Sequence, residues 1–371
     1  MAGDGPDLVA QSRIRRFTRM TEPVSARALL KSGVAIPAHP LALTPSRTLD
    51  ERHQRALTRY YVDAGAGGIA VGVHTTQFAI RDPRHGLYRP VLELAAQTVR
   101  SARTAHPRPF VMVAGLAGTT AQAIGEAEIA LACGYDVGLL SLAALPQATT
   151  AQLLDHCRAV AEVMPLFGFY LQTAVGGRPL DYAFWRELAE LPNLWAVKIA
   201  PFDRYRTAEV VRAIGESGRE DVALYTGNDD NIAADLSTPF PVNVGGAWRT
   251  RWMDGGLLGQ WAVWTHRAAD LLQRIKGARA SGVVDVELLR EGAALTDANS
   301  AIFDVAHGFA GCIAGIHEVL RRQKLMAGVW CLDPRETLSP GQAREIDRVC
   351  RDYPFLTDDD FVAERLDGWL S

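Results

Sequence analysis

The sequence has few cysteines and no closely spaced pair of them. Five cysteines are scattered over 371 residues without a CxxC motif, which argues against a disulfide framework and predicts a reducing, cytoplasmic environment. No apolar run approaches the roughly 20 residues of a membrane span, and the basic stretch 12–17 lacks a following apolar core, so we interpret it as a solvated arm. The net charge of −3 provides no field for nucleic acid or an anionic membrane.

Metal-binding motifs are also missing. His39 and His74 fall near predicted strand ends, but no HxH motif, HExxH motif or carboxylate cluster accompanies them. We therefore expect neither a metal nor another cofactor. A metal-dependent barrel hydrolase is accordingly the weakest of the functions considered.

Lysine is scarce, and this scarcity draws attention to one position. The four lysines are Lys31, Lys198, Lys276 and Lys324, and arginine supplies the rest of the 39 basic residues. Lys198 lies near the end of the apolar run 194–200, where a buried strand is expected. An amine can lose its proton and a guanidinium cannot, so this position indicates a nucleophile. The alternative is a lysine that extends its charge from a strand end into solvent.

Short apolar runs alternate with amphipathic stretches of helical length from about residue 33. This alternation predicts parallel strands connected by helices. The predicted strands are 33–37, 68–73, 110–114, 136–142, 166–170, 194–198, 222–225 and 241–244. Eight such units match a (β/α)8 barrel in number and size, whereas an open doubly wound sheet would favour a GxGxxG motif after the first strand, which is absent.

The predicted barrel is flanked by two further regions. We expect an N-terminal arm over 1–30, the barrel over 31–276 and a helical region over 277–371. Apolar side chains in the last region, such as Trp330, Phe355 and Trp369, require cover by the barrel or by another subunit. We expect a homodimer or homotetramer. Gly245 and Gly246, after the last predicted strand, would serve a tight turn or a close backbone approach to a ligand.

Polar side chains at the carboxyl ends of the strands are the candidate site residues, because that end carries the active site of such barrels. Lys198 would form a Schiff base with a carbonyl carbon, and Tyr170 would transfer protons unless it is only packed. Thr75 and Thr76 would bind a carboxylate or cap a turn. His74 would donate a hydrogen bond, act as an acid, or pack as a neutral ring.

The pattern resembles the dihydrodipicolinate synthase and N-acetylneuraminate lyase family. The resemblance covers roughly residues 30–325 and depends on the paired threonines, on Tyr170 and Lys198 spaced 28 residues apart, and on the Gly-Asn-Asp sequence 227–229. It implies a Schiff-base (β/α)8 barrel with C-terminal helices, in which Lys198 forms the imine with a 2-oxo acid and Tyr170 shuttles protons. The resemblance also implies that Thr75 and Thr76 bind the carboxylate of the acid. We further predict that the substrate contacts His74, Gln172, Gly227 and Asn228.

The sequence also departs from the family pattern. The loop that usually reads GTTGE is His-Thr-Thr-Gln-Phe at 74–78, residues 142–145 lack the paired tyrosines of the synthases, and their arginine falls near Ala174. We therefore predict a lyase, aldolase or dehydratase that acts on a small 2-oxo acid or related carbonyl compound, and not dihydrodipicolinate synthesis. The main alternative is a non-catalytic barrel that binds a small molecule or a partner.

Overall fold

The computed structural model describes residues 24–105 and 107–371, and a closed barrel of parallel strands forms its centre. The barrel strands are β1 (Ala35–Pro37), β2 (Gly68–Val71), β3 (Val111–Leu116), β4 (Val137–Leu140), β5 (Leu166–Leu171), β6 (Leu194–Ala200), β7 (Ala223–Thr226) and β10 (Gly255–Leu258). They are paired in the order β1-β10-β7-β6-β5-β4-β3-β2. The barrel closes through the hydrogen bond from His39 N to Ala70 O (2.8 Å). The predicted (β/α)8 fold is confirmed, while the predicted basic arm 12–17 lies outside the described residues.

Helices surround the barrel and continue beyond it. They are α1 (Ala26–Ser32), α2 (Glu51–Asp63), α3 (Tyr88–Ala105), α4 (Thr120–Cys133), α5 (Thr150–Ala161), α6 (Tyr182–Leu188), α7 (Arg204–Glu216), α8 (Ile232–Ser237), α9 (Thr265–Ser281), α10 (Val286–Ile302), α11 (Cys312–Arg322), α12 (Gln342–Asp352) and α13 (Asp359–Leu370). The side chains of Thr119 and Thr149 cap α4 and α5 by accepting a backbone hydrogen bond. Within the described residues, no helix is long and apolar enough to cross a membrane.

The eighth barrel strand is not the predicted one. Residues 241–244 belong to β8 (Phe240–Val244), which pairs antiparallel with β9 (Ala247–Arg251) in a hairpin outside the barrel. Gly245 and Gly246 form its turn with positive φ, and they do not line the cavity described below. The barrel instead closes with β10, where a β-carbon on Gly256 would lie 2.5 Å from the Trp261 ring. A short strand that begins with two glycines carries little strand signal in its sequence.

The alternation of side chains along the strands divides the core into two layers. Phe167 and Phe169 of β5 face the inside of the barrel, as do Ala196 and Ala200 of β6. The intervening residues, among them Tyr170 of β5, face the layer of surrounding helices. Lys198 lies between Ala196 and Ala200 and therefore belongs to the inner face.

The helices of the C-terminal region pack against the carboxyl end of the barrel and against its side. Asn299 of α10 donates a hydrogen bond to the Asp229 carbonyl oxygen (2.6 Å), which fixes α10 over the loop after β7. Asp358, just before α13, accepts a hydrogen bond from the buried Tyr60 hydroxyl of α2 (2.7 Å). The region is thus built onto the barrel, and its proposed boundary at residue 277 stays a prediction.

Candidate active site

A cavity opens at the carboxyl ends of the barrel strands, with about 620 Å³ of atom-free space that is continuous with solvent. Its walls come from the ends of β5, β6 and β7, from the loop after β2, and from residues 303–316 of the C-terminal region. Lys198, Asp229, His74 and Cys312 are the titratable side chains among the residues that line it. The cavity therefore lies where parallel barrels carry their active sites.

Lys198 presents a free amine to this cavity. Its Nζ lies 4.7 Å from the centre of the Phe169 ring and makes no ion pair or hydrogen bond with the residues that the structure describes. Gly227 leaves room for the lysine, because a β-carbon there would lie 2.5 Å from Lys198 Cε. Desolvation lowers the pKa of Lys198 to about 8, although Asp229 opposes this shift. About a tenth of the amine is consequently neutral at pH 7, compared with well under a thousandth at an ordinary lysine.

Asp229 belongs to the Gly-Asn-Asp sequence 227–229 but was not among the predicted site residues. It follows β7, lines the cavity and accepts a hydrogen bond from Gln260 N–H (3.0 Å). Desolvation raises its pKa to about 7, with the Gln260 hydrogen bond and the Lys198 charge acting in the opposite direction. A carboxyl group that titrates near neutral pH can both accept and donate a proton.

Tyr170 does not lie in the cavity, so its predicted role in proton transfer does not fit its position. It packs against Trp185 in the helix layer, and its hydroxyl accepts a hydrogen bond from Leu180 N–H (3.2 Å). Phe169 instead pairs with Lys198 across the two strands. The pairing of β5 with β6 shifts in register between Leu166 and Phe167. A shift of one residue moves each side chain of a strand to the opposite face.

Of the two threonines in the loop after β2, one lines the cavity and the other does not. Thr75 lines the cavity, and its hydroxyl donates a long hydrogen bond to His39 O (3.3 Å). Thr76 is fully buried and does not line the cavity, since its hydroxyl accepts from Gly72 N–H (3.0 Å) and donates to His39 O (2.7 Å). Thr76 therefore shapes the loop after β2 through these hydrogen bonds, and its role at the substrate stays a prediction.

His74 also lines the cavity. Desolvation and the nearby Lys198 charge lower its pKa to about 4, so its ring is neutral at neutral pH. Its neighbour in the barrel, His39, is fully buried and engages Pro40 O and Thr58 Oγ1, each at 2.8 Å. Among the described residues, no group of three or more histidine, cysteine or acidic side chains is arranged to hold a metal ion.

Of the remaining residues predicted to contact the substrate, two line the cavity and one does not. Gln172 and Gly227 line the cavity, but Asn228 does not. The buried Asn228 amide accepts a hydrogen bond from Phe202 N–H (3.0 Å) and donates one to Asp235 (2.9 Å), so it fixes two loops. Four further lining residues were not predicted because they come from the distant C-terminal region: Phe303, Phe309, Cys312 and Ile316.

Comparison with known proteins gives a consistent set of relatives, although no family model matches the chain. A 4-hydroxy-tetrahydrodipicolinate synthase from Mycolicibacterium gilvum is 28% identical over 260 residues, which cover 68% of this chain and 74% of the relative. The synthase from Cyanothece is 26% identical over 259 residues, covering 68% and 77%.

Solved structures give the same fold at lower identity. Dihydrodipicolinate synthase from Oceanobacillus iheyensis has a TM-score of 0.69 at 18% identity and covers 89% of this chain and all of its own. The synthase from Acinetobacter baumannii, solved with pyruvate, has a TM-score of 0.70 at 16% identity, covering 87% and 99%. N-acetylneuraminate lyase from Fusobacterium nucleatum has a TM-score of 0.67 at 16% identity, covering 87% and 99%.

Proposed function

We propose that this chain, a divergent member of the dihydrodipicolinate synthase and N-acetylneuraminate lyase family, uses Lys198 to form a Schiff base with a small 2-oxo acid or related carbonyl compound. The lyases of this family work through such an imine. The observation that carries the proposal is the Lys198 amine, which reaches the cavity without a partner among the described residues and has a pKa lowered to about 8.

The first step follows from that amine. Neutral Lys198 attacks the carbonyl carbon, and loss of water from the carbinolamine gives the imine, which is protonated at nitrogen. The protonated imine accepts electrons from the neighbouring carbon, so breaking a C–C bond there or removing a proton from it gives a stabilised enamine. In dehydration, this enamine then expels a hydroxyl group from the next carbon, which leaves as water after protonation. Cleavage, addition and dehydration all use this intermediate, and the proposal covers this class of reactions.

The carboxylate of the substrate would lie against the loop after β2. The Thr75 hydroxyl has only one long hydrogen bond, to a carbonyl oxygen, and can turn toward a ligand. The neutral His74 ring can donate a second hydrogen bond from the same loop. The structure of the Acinetobacter baumannii synthase with pyruvate supports a 2-oxo acid as the type of ligand.

Asp229 would carry the protons that the reaction moves. It faces the same cavity as Lys198, and no ion pair within 4.0 Å joins the two groups, which leaves space for substrate atoms between them. With a pKa near 7, the carboxylate can take a proton from a substrate hydroxyl, and the acid can return it. We assign this function to Asp229 because Tyr170 lies outside the cavity.

Trapping with borohydride tests the proposal. The protein is incubated with pyruvate and sodium borohydride, digested and analysed by mass spectrometry. We expect one reduced pyruvate adduct, on the peptide that contains Lys198. Lys198→Arg should abolish this adduct, and folding of the variant is checked by circular dichroism.

Lys276→Arg is the matched control. Lys276 is half-buried and donates to the carbonyl oxygen of Ser32 (2.8 Å), at the amino end of β1 and far from the cavity. This variant should form the adduct as the unaltered protein does. Adducts confined to Lys31, Lys276 or Lys324 would contradict the proposal. Pyruvate binding without any adduct would favour the non-catalytic barrel.

A further inference from the structure

Four phenylalanines from three separate parts of the chain line the cavity. Phe169 belongs to β5, Phe202 follows β6, and Phe303 and Phe309 belong to the C-terminal region. The Phe202 and Phe309 rings contact each other edge to face, with centroids 6.1 Å apart and planes at 73°. One ring from the barrel loops and one from the region that follows the barrel are thus in direct contact in the cavity lining.

The backbone at this contact indicates that the rings are held in place. Phe202 and Phe309 have φ values of 54° and 70°, a left-handed conformation that side chains other than glycine rarely adopt. The backbone of each residue is held by a hydrogen bond. Phe202 N–H donates to Asn228 Oδ1 (3.0 Å), and Phe309 N–H donates to Asp304 O (3.0 Å). These hydrogen bonds help to hold both residues in the cavity lining despite their unfavourable φ values.

Apart from Lys198, the described residues that line the cavity offer no cation to a second negative charge on the substrate. Lys198 is the only cationic group among the described residues that line it, and Schiff-base formation uses this amine. His74 is neutral at neutral pH, and no described arginine lines the cavity. A second carboxylate on the substrate would lose its water without gaining a cationic partner, whereas an uncharged ring would exchange water for apolar contacts.

We propose that the carbonyl partner of the 2-oxo acid is an uncharged aromatic aldehyde, so that the substrate for cleavage is a 4-hydroxy-2-oxo acid with an aryl group at C4. This inference assumes the Lys198 Schiff base proposed above. In cleavage, Asp229 takes the proton of the C4 hydroxyl as the C3–C4 bond breaks, and the electron pair passes into the imine to give the enamine. The aryl aldehyde leaves, and protonation of the enamine at C3 followed by hydrolysis releases pyruvate.

The experiment compares two aldehydes in the addition direction. The protein is given pyruvate with either benzaldehyde or aspartate semialdehyde, and products are quantified by liquid chromatography and mass spectrometry. We expect kcat/KM for benzaldehyde to exceed that for aspartate semialdehyde by about a hundredfold. Equal values, or a preference for aspartate semialdehyde, would overturn this inference.

Variants test whether the phenylalanines that line the cavity cause the preference for benzaldehyde. Phe309→Ala should lower kcat/KM for benzaldehyde by about tenfold or more, and Phe309→Leu, which keeps much of the apolar volume, should lower it less. Phe355→Ala is the matched control, since Phe355 is 45% exposed and lies outside the cavity, and it should retain the full value. An unchanged value in Phe309→Ala would overturn the role of this ring.

Pyruvate trapping separates this inference from the function on which it rests. If the unaltered protein forms no Lys198 adduct with pyruvate, the Schiff-base proposal fails whatever the aldehyde results are. If the adduct forms and benzaldehyde is not preferred, only the inference about the aromatic substrate fails.

Discussion

Replacing Lys198 with methionine should make the protein more stable while it removes the nucleophile. The folded protein holds this amine in a desolvated position, where its pKa falls from 10.5 to about 8. Methionine has a similar length and no charge to desolvate, so it should fill the same space without leaving a cavity.

The size of the effect follows from the pKa shift. Each unit of pKa corresponds to about 1.4 kcal/mol, so a shift from 10.5 to about 8 costs the folded protein about 3 kcal/mol at pH 7. Between pH 8 and 10.5 the unfolded chain holds the Lys198 proton and the folded protein releases it. The stability of the unaltered protein relative to Lys198→Met therefore rises with pH, and the difference should shrink to about 1.5 kcal/mol at pH 9.5.

Urea unfolding monitored by tryptophan fluorescence, with a thiol reductant present, measures this difference at pH 7 and pH 9.5. Lys324→Met is the control because Lys324 is exposed, and it should change the free energy of unfolding by less than about 0.5 kcal/mol at both pH values. If Lys198→Met is less stable than the unaltered protein at pH 7, or if the difference does not shrink at pH 9.5, the lysine is not desolvated as argued.

Two further variants separate the roles of the neighbouring groups. Tyr170→Phe removes only the acceptor of the Leu180 N–H group, so turnover measured with the best substrate should stay within about twofold, with a loss of about 1 kcal/mol in stability by urea unfolding; a hundredfold fall would return Tyr170 to the mechanism. In the unaltered protein, borohydride trapping should rise with pH with a midpoint near 8, as the Lys198 amine loses its proton. Asp229→Asn removes the charge that raises the pKa of Lys198, so this midpoint should move to lower pH while turnover falls by about a hundredfold; an unmoved midpoint would show that the two groups do not interact.

The barrel class and the position of most of its strands could be predicted from local features, as could the choice of Lys198 as the candidate nucleophile. Lys198 stands out because arginine supplies nearly all other cations and because its neighbours are apolar. Seven of the barrel strands lie where their apolar runs predict them, since a buried parallel strand needs such a run. The eighth was misplaced because the alternating hairpin strand Phe240–Val244 has a stronger pattern than the glycine-rich Gly255–Leu258.

Other features depend on the position of one strand relative to its neighbour. Counting residues back from Lys198 selects Tyr170, but the irregular pairing near Leu166 brings Phe169 to the inner face beside the amine. Neighbouring residues in a strand point in opposite directions, so an error of one position exchanges a cavity residue for a packed one. Asp229 was noted in the sequence only as part of the Gly-Asn-Asp sequence 227–229. Its raised pKa arises from burial in the folded chain, which the sequence does not show.

The sequence by itself determined the barrel class and the lysine on which the proposed chemistry rests, because both follow from patterns within a few neighbouring residues. Only the tertiary structure decided what surrounds that lysine. In the folded chain Tyr170 lies outside the cavity and Asp229 lines it. Phe303 and Phe309, more than 100 residues after Lys198 in the sequence, line the same cavity. Contacts between such distant residues depend on how helices pack over the barrel, and no local pattern records that packing.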